Sequence, residues 1–223
     1  MPRRIVDLSH TIRDGLETYP GLPTPSITDH LTRAHAEEIY APGVTFHIGL
    51  ITMCSNTGTY LDVPFHRYAD GHDLSGLDLA RVTDVPAVVV DAGPDRAIGP
   101  DVLKRAVDGL DVEGAAVLFR TGHSRHFGTD AYFVDHPFLT ADTAAALVAR
   151  GVACVGIDSL NIDSTDDVRR PVHSTLLAPD VGIPIIEHLT ALDAVPATGA
   201  RFTAVPPKVG GLGTFPVRAH ALL

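Results

Sequence analysis

The chain has 223 residues, 45% of them hydrophobic and 20% charged, enough for one large domain with a substantial core or for two small ones. Its formal net charge of -10 argues against nucleic acid or an anionic membrane as a partner. Its apolar runs, such as residues 87–90, are too short to cross a bilayer.

The N-terminal run MPRRIVDLSH carries arginines but lacks the apolar centre of a secretion signal. The first 45 residues are rich in Pro, Gly and Thr, as in YPGLPTPSIT at 19–28, and read as an arm or a set of irregular loops. Residues 46–54, with β-branched side chains in imperfect alternation, predict a strand. The apolar run 86–93, closed by Gly93-Pro94, predicts a buried strand. Residues 99–109 predict a helix, with Pro100 at its start and Gly109 past its end. A second buried strand is expected over 114–122. The clearest helix is 140–151, where Thr140 can cap, Asp142 favours the positive end of the dipole and Gly151 terminates. Strands at 152–158 and 182–187 follow. This alternation is an α/β pattern with a mixed, partly parallel sheet and flanking helices. With no linker and no internal repeat, residues 1–223 are read as one domain. Cys54 and Cys154 sit in apolar runs and are expected as free, buried thiols, which suits a cytoplasmic location.

The densest chemistry lies in NTGTYLDVPFH, residues 56–66. In an extended backbone Asn56, Tyr60, Asp62 and His66 would share one face, and Pro64 argues against a helix there. Asp62 is a candidate metal ligand or orienter of a base, and His66 a candidate acid/base; a structural turn is the plainer alternative. His173 and Glu187 form a second pair. Glu187 ends an apolar strand and needs a partner if desolvated, as a ligand, as an acid/base or in a strand-end salt bridge. The loop 120–133 gathers Arg120, His123, Arg125, His126 and Tyr132, and Arg120 and His123 are candidates for holding a substrate carbonyl or carboxylate. DSLNIDSTDD (158–167) has four Asp in ten residues but lacks the Gly and terminal Glu of a calcium loop, so a turn or support behind a site is expected. His10, His47 and His72 are read as structural. No G-x-S-x-G elbow, Walker A sequence or Rossmann fingerprint is present, and GGLG at 210–213 opens no helix.

IVDLSHTI, YPG, TGTYLDVPFH, RTGHSRH, VGIDSLNID, PVHSTLL, IPIIEHL and KVGGLGTFPVRA occur in an order that resembles the cyclase/kynurenine formamidase family nearly end to end. The resemblance implies a swivelling β/β/α domain, usually a homo-oligomer such as a homodimer or homotetramer. It also implies hydrolysis of small amides, esters or lactones by metal-activated water. The family signature is H-x-G-T-H-x-D-x-P-x-H. Its Asp matches Asp62 and its acid/base His matches His66, while a later His and Glu match His173 and Glu187. Asn56 and Tyr60 stand where two metal-binding imidazoles would be.

Two enzymatic expectations follow. In the first, Asp62, His173, Glu187 and the Asn56 carbonyl hold one divalent ion, manganese, zinc or magnesium, and His66 moves protons. In the second no metal is used, and His66 and Tyr60 shuttle protons in a cyclisation or elimination, with Tyr60 as a donor to an oxyanion. A binding protein without catalysis is the third possibility. The energetic difference is large. A metal that brings water from a pKa of about 15.7 to about 7 supplies about 12 kcal/mol, whereas a positioned His alone supplies about 10²–10⁴-fold.

Overall fold

Residues 4–223 are described by a computed structural model, and Arg3 of the N-terminal arginine pair lies outside the described residues. In chain order the elements are β1 (Ile5–Asp7), β2 (Ser26–Leu31), α1 (Arg33–Ile39), β3 (Ile48–Thr52), β4 (Tyr60–Asp62), β5 (Val85–Asp91) and β6 (Ala97–Ile98). They continue with α2 (Pro100–Ala106), β7 (Ala116–Arg120), β8 (Phe138–Leu139), α3 (Ala141–Ala149), β9 (Cys154–Ile157), α4 (Pro171–Leu176), β10 (Ile185–Glu187), β11 (Ala200–Thr203), β12 (Thr214–Pro216) and β13 (His220–Leu222).

A nine-stranded sheet runs in the order β1-β13-β11-β5-β7-β9-β10-β4-β12. Its centre, β5-β7-β9-β10, is parallel, and the strands on either side are antiparallel. The parallel strands are continuous apolar runs because both of their faces are buried. In β7, Val117 and Phe119 join the cluster under α2, α3 and α4 with Leu103, Leu147 and Leu176. Leu118 points the other way, into a cluster with Leu61, Ile186, Leu189 and Phe202 that the curled sheet closes over. Gly156 in β9 lets that second cluster pack closely: a Cβ there would lie 2.6 Å from Leu189 and 2.8 Å from Leu118.

The helix signals act as the sequence predicts. Pro100 occupies the first turn of α2, the Thr140 side chain accepts from the Thr143 amide at the start of α3, and Gly151 takes φ +63° after its end. The first 45 residues differ from expectation. β1 pairs with β13 in the main sheet, while β2 and β3 form a hairpin with α1 between them. β3 falls within the strand expected over 46–54, whereas β2 is exposed along nearly all its length, so no buried face gives it a readable alternation. The extended run expected over 56–66 is also shorter. Only Tyr60–Asp62 is strand, and Pro64 opens a 3₁₀ turn, Pro64–His66. Cys54 and Cys154 are both free thiols; Cys154 is buried, and burial pushes its thiol up to about 12.

Burial also pushes the imidazoles of His10 and His136 down to about 4. In the unfolded chain they take up protons near pH 6.5. Their contribution to stability is therefore complete above pH 6.5 and is lost as the pH falls towards 4. Thermal unfolding followed from pH 7 to pH 4 is expected to show a Tm that drops through this window, with a shallower drop in His136→Gln; a Tm drop equally steep in that variant would contradict it.

Candidate active site

β4 lies between β10 and β12, and its register builds the site. Tyr60 pairs with Glu187, and Asp62 pairs with Ile185 on one side and Thr214 on the other. The two-residue period of the strand sends Leu61 into the core and puts Tyr60 and Asp62 on the opposite face.

Asp62 has no solvent exposure. Its Oδ1 accepts a hydrogen bond from the Thr214 hydroxyl. Its Oδ2 has no hydrogen-bond partner and lies 3.8 Å from His173 Nε2. Thr214 has one proton, which it gives to Asp62, so at His66 Nδ1, 2.7 Å away, its oxygen accepts. That arrangement places the His66 proton on Nδ1 and leaves Nε2 with the free lone pair. His66 lines the cavity with its side chain 34% exposed. Pro64 and the 3₁₀ turn therefore bring His66 back beside Asp62 by a route different from the shared strand face.

His173 sits on α4, which Asp163 caps. The Asp163 carboxylate accepts from the Val172 amide at 2.7 Å, the His173 amide at 3.0 Å and His173 Nδ1 at 2.7 Å. Nδ1 is thus engaged, and Nε2 is directed towards Asp62 and Glu187. Burial opposes a charge on His173, but Asp163, Asp62 and Glu187 outweigh it and raise its pKa to about 10. Asp62 is held below the usual carboxylate range: burial opposes ionisation, and His66, His173 and Thr214 overcome it. Glu187 moves the other way, raised by burial with partial relief from His173.

Both oxygens of Glu187 are occupied. Oε1 accepts from the Ile162 amide and Oε2 from the Tyr60 hydroxyl, each at 2.6 Å. Tyr60 is backed by His188, whose Nε2 lies 3.3 Å from the phenol oxygen and whose Nδ1 lies 2.8 Å from the Tyr132 hydroxyl. Burial pushes His188 down to about 3, so it is neutral. The Tyr60 proton is engaged by Glu187 and is not available as a donor to an oxyanion.

Tyr60, His66, His173 and Glu187 line a cavity of about 330 Å³ together with Asn56 and, from the N-terminal arm, Tyr19 and Leu22, and Asp62 lies buried behind them. Arg120 and His123 are elsewhere. Arg120 pairs with Asp91 at 2.8 Å, and His123 Nε2 donates to the Tyr132 carbonyl at 2.9 Å. Their loop is turned away by Asp158, which accepts from Thr121 and Gly122. Thr214 and His188 carry no signal in the sequence that marks them for the site; Asp163 lies in the acidic run expected to support one.

One cation fits the residues present. Asp62, His66 and His173 each offer a ligand atom within 4.8 Å of the others. The unpartnered Asp62 Oδ2 faces a histidine nitrogen at a distance too long for a hydrogen bond. A buried carboxylate in that state calls for a positive charge. The mixed nitrogen and oxygen donors suit a divalent ion of intermediate hardness. A second ion does not fit, because Tyr60 and both Glu187 oxygens are already bonded to each other or to backbone.

Comparison with known proteins places this geometry in context. Residues 6–164 match the family model described as Putative cyclase. A kynurenine formamidase of Bacillus cytotoxicus is 30% identical over 215 residues, covering 96% of this chain and 95% of that protein. A solved structure described as a potential metal-dependent hydrolase with cyclase activity superposes with a TM-score of 0.78 at 27% identity, covering 99% of this chain and 98% of the other. Isatin hydrolase A from Ralstonia solanacearum shares the fold, with a TM-score of 0.81 at 24% identity over 99% of this chain and 92% of that one.

Gly213 precedes Thr214 and packs against the turn that carries His66. A Cβ there would come within 2.7 Å of the Phe65 carbonyl carbon and closer still to the His66 backbone. Gly213→Ala is expected to displace His66 from Thr214 and to lower both Tm and turnover. A variant with the Tm and rate of the parent chain would show that this contact is not constraining.

Proposed function

The chain belongs to the cyclase family, and from that premise we propose that this hydrolase cleaves the carbonyl–nitrogen bond of a small amide, with an ester or lactone as a related substrate. The name of the sequence relative, kynurenine formamidase, supports an amide, and that of the structure at 27% identity, a potential metal-dependent hydrolase, supports hydrolysis. The observation that carries the reading is the unpartnered Asp62 oxygen facing His173 Nε2, beside an imidazole whose other nitrogen is fixed by Thr214.

In this reading Asp62 and His173 hold one divalent ion, with Asn56 on the same cavity wall. Bound there, the ion lowers the pKa of water and polarises the carbonyl. His66 accepts the proton from the attacking water at Nε2 and returns it to the departing nitrogen, while Thr214 and Asp62 hold its ring. Water adds to the carbonyl carbon, the carbon–nitrogen bond breaks, and the products are a carboxylic acid and an amine. Asp163 fixes the His173 ring. A metal-independent proton shuttle would need Tyr60 as a free donor, and the hydrogen bond to Glu187 works against it.

Formanilide turnover measured with manganese, zinc or magnesium tests the proposal. His66→Ala is expected to lower kcat by about 10²–10⁴-fold. Elemental analysis is expected to give one equivalent of ion that disappears in Asp62→Ala. Full turnover in His66→Ala, or turnover unaffected by exhaustive chelation, would overturn it.

We also propose a homo-oligomer. Ile39, Phe46, Ile48, Leu50 and Ile51, on or beside the β2–β3 hairpin and α1, are each about half exposed. A two-stranded ribbon is marginal by itself, and a second copy of the same surface would cover it. Light scattering is expected to report a dimer or tetramer, and Leu50→Asp to shift the mass towards the monomer. A parent chain that is monomeric at assay concentrations would refute it.

A further inference from the structure

Two arginines line the cavity together with the catalytic cluster, and the proposed hydrolysis does not use them. Arg67 directly follows His66, and Arg170 lies three residues before His173. The same two turns that place the histidines therefore also place two guanidinium groups.

Each guanidinium is tethered, and each tether is neutral. Arg67 Nε donates to the Ser174 hydroxyl at 3.1 Å, and its guanidinium carbon lies 5.0 Å from the centre of the Tyr68 ring. The Tyr68 hydroxyl donates to the Ser174 carbonyl at 2.8 Å, so this support is anchored on α4. Arg170 donates from one terminal nitrogen to the Ser164 carbonyl at 2.8 Å. A guanidinium has five N–H donors, so most remain free on both side chains.

Carboxylates are plentiful in a chain of net charge -10, and Arg96, Arg120, Arg169, Arg201 and Arg218 each pair with one. Of the described arginines outside such pairs, Arg67 and Arg170 are the two that line the cavity. Asp167, close enough to feel the charge of Arg170, is already held by two nitrogens of Arg169 at 2.8 and 2.9 Å. Arg170 also has a left-handed backbone, φ +49° and ψ +60°, a conformation strained for a residue with a side chain. Strain of this kind at a cavity wall is a pointer to function.

We infer that Arg67 and Arg170 bind a carboxylate carried by the substrate itself, so that the preferred substrate is a small anionic amide. This deepens the hydrolase reading and rests on it for the reaction. The planar fork of a guanidinium matches a carboxylate, and a pre-tethered arginine loses little freedom on binding. The carboxylate sits at the arginine side of the cavity, and the scissile carbonyl then lies towards His66.

The test compares 2-formamidobenzoate with formanilide, which differ only in the carboxylate. The wild-type enzyme is expected to favour the anion in kcat/KM by roughly 10–100-fold. That ratio is expected to fall towards 1 in Arg67→Gln/Arg170→Gln, mainly through KM for the anion. Arg67→Gln alone, at an exposed position outside α4, provides a variant whose folding is not at issue. Independently of turnover, calorimetric titration with benzoate is expected to show binding that weakens roughly 10–100-fold in the double variant, with benzamide as the neutral control. Benzoate that does not bind, or binds wild type and both variants equally, overturns the inference. If neither formyl compound is hydrolysed while benzoate binding still depends on the arginines, the amide-hydrolase reading is what fails.

Discussion

A fully buried carboxylate organises this protein. Asp62 is on a short strand between two others, with no exposure to water. An isolated ion in such a place is very costly, so its surroundings must supply compensating charge and hydrogen bonds. Thr214 supplies the hydrogen bond, and its hydroxyl in turn fixes His66. His173 supplies positive charge, with a proton that Asp163 and Asp62 stabilise or with an ion in its place. The features that make the site reactive are thus the same ones that make Asp62 tolerable in the interior.

Much of this could be read from the chain, and the limits have physical causes. β5, β7 and β9 are apolar runs bounded by turn residues, so their strand character is local information. The caps of α2 and α3 are equally local. Asp62, His66, His173 and Glu187 converge as the family motif implies, although His66 arrives by a 3₁₀ turn. Thr214 was illegible because its role depends on pairing with a residue 152 positions away. Arg120 and His123 look like site residues in sequence because their loop is polar and follows a buried strand. Its direction is set by Asp158, and no local pattern encodes that. The β2 half of the hairpin carries no such signal, because its strand is exposed and lacks the alternation a reader relies on, whereas β3 falls within the strand expected over 46–54.

Tyr60 stands where the resemblance implies an imidazole, and its effect reaches beyond its own position. Its phenol occupies one oxygen of Glu187 and is itself backed by His188. A carboxylate available for metal becomes the acceptor of a buried hydrogen-bond chain. The Tyr60 proton is thereby directed at Glu187, and the buried groups left without partners fit one ion. The candidate site is compact: Asp62, His66 and His173 lie together, with Thr214 bonded to the His66 ring and Asp163 to the His173 ring.

The register of β4 has a consequence in time. Tyr60 meets Glu187 across 127 residues, and Asp62 meets Thr214 across 152. Contacts that span so much chain are expensive to close and are rewarded only once both neighbouring strands have docked. During synthesis most of the polypeptide must emerge before β12 can reach β4, and until then Asp62 lacks Thr214. The buried carboxylate is therefore completed only when the last strands of the sheet pair, late in the assembly of the fold.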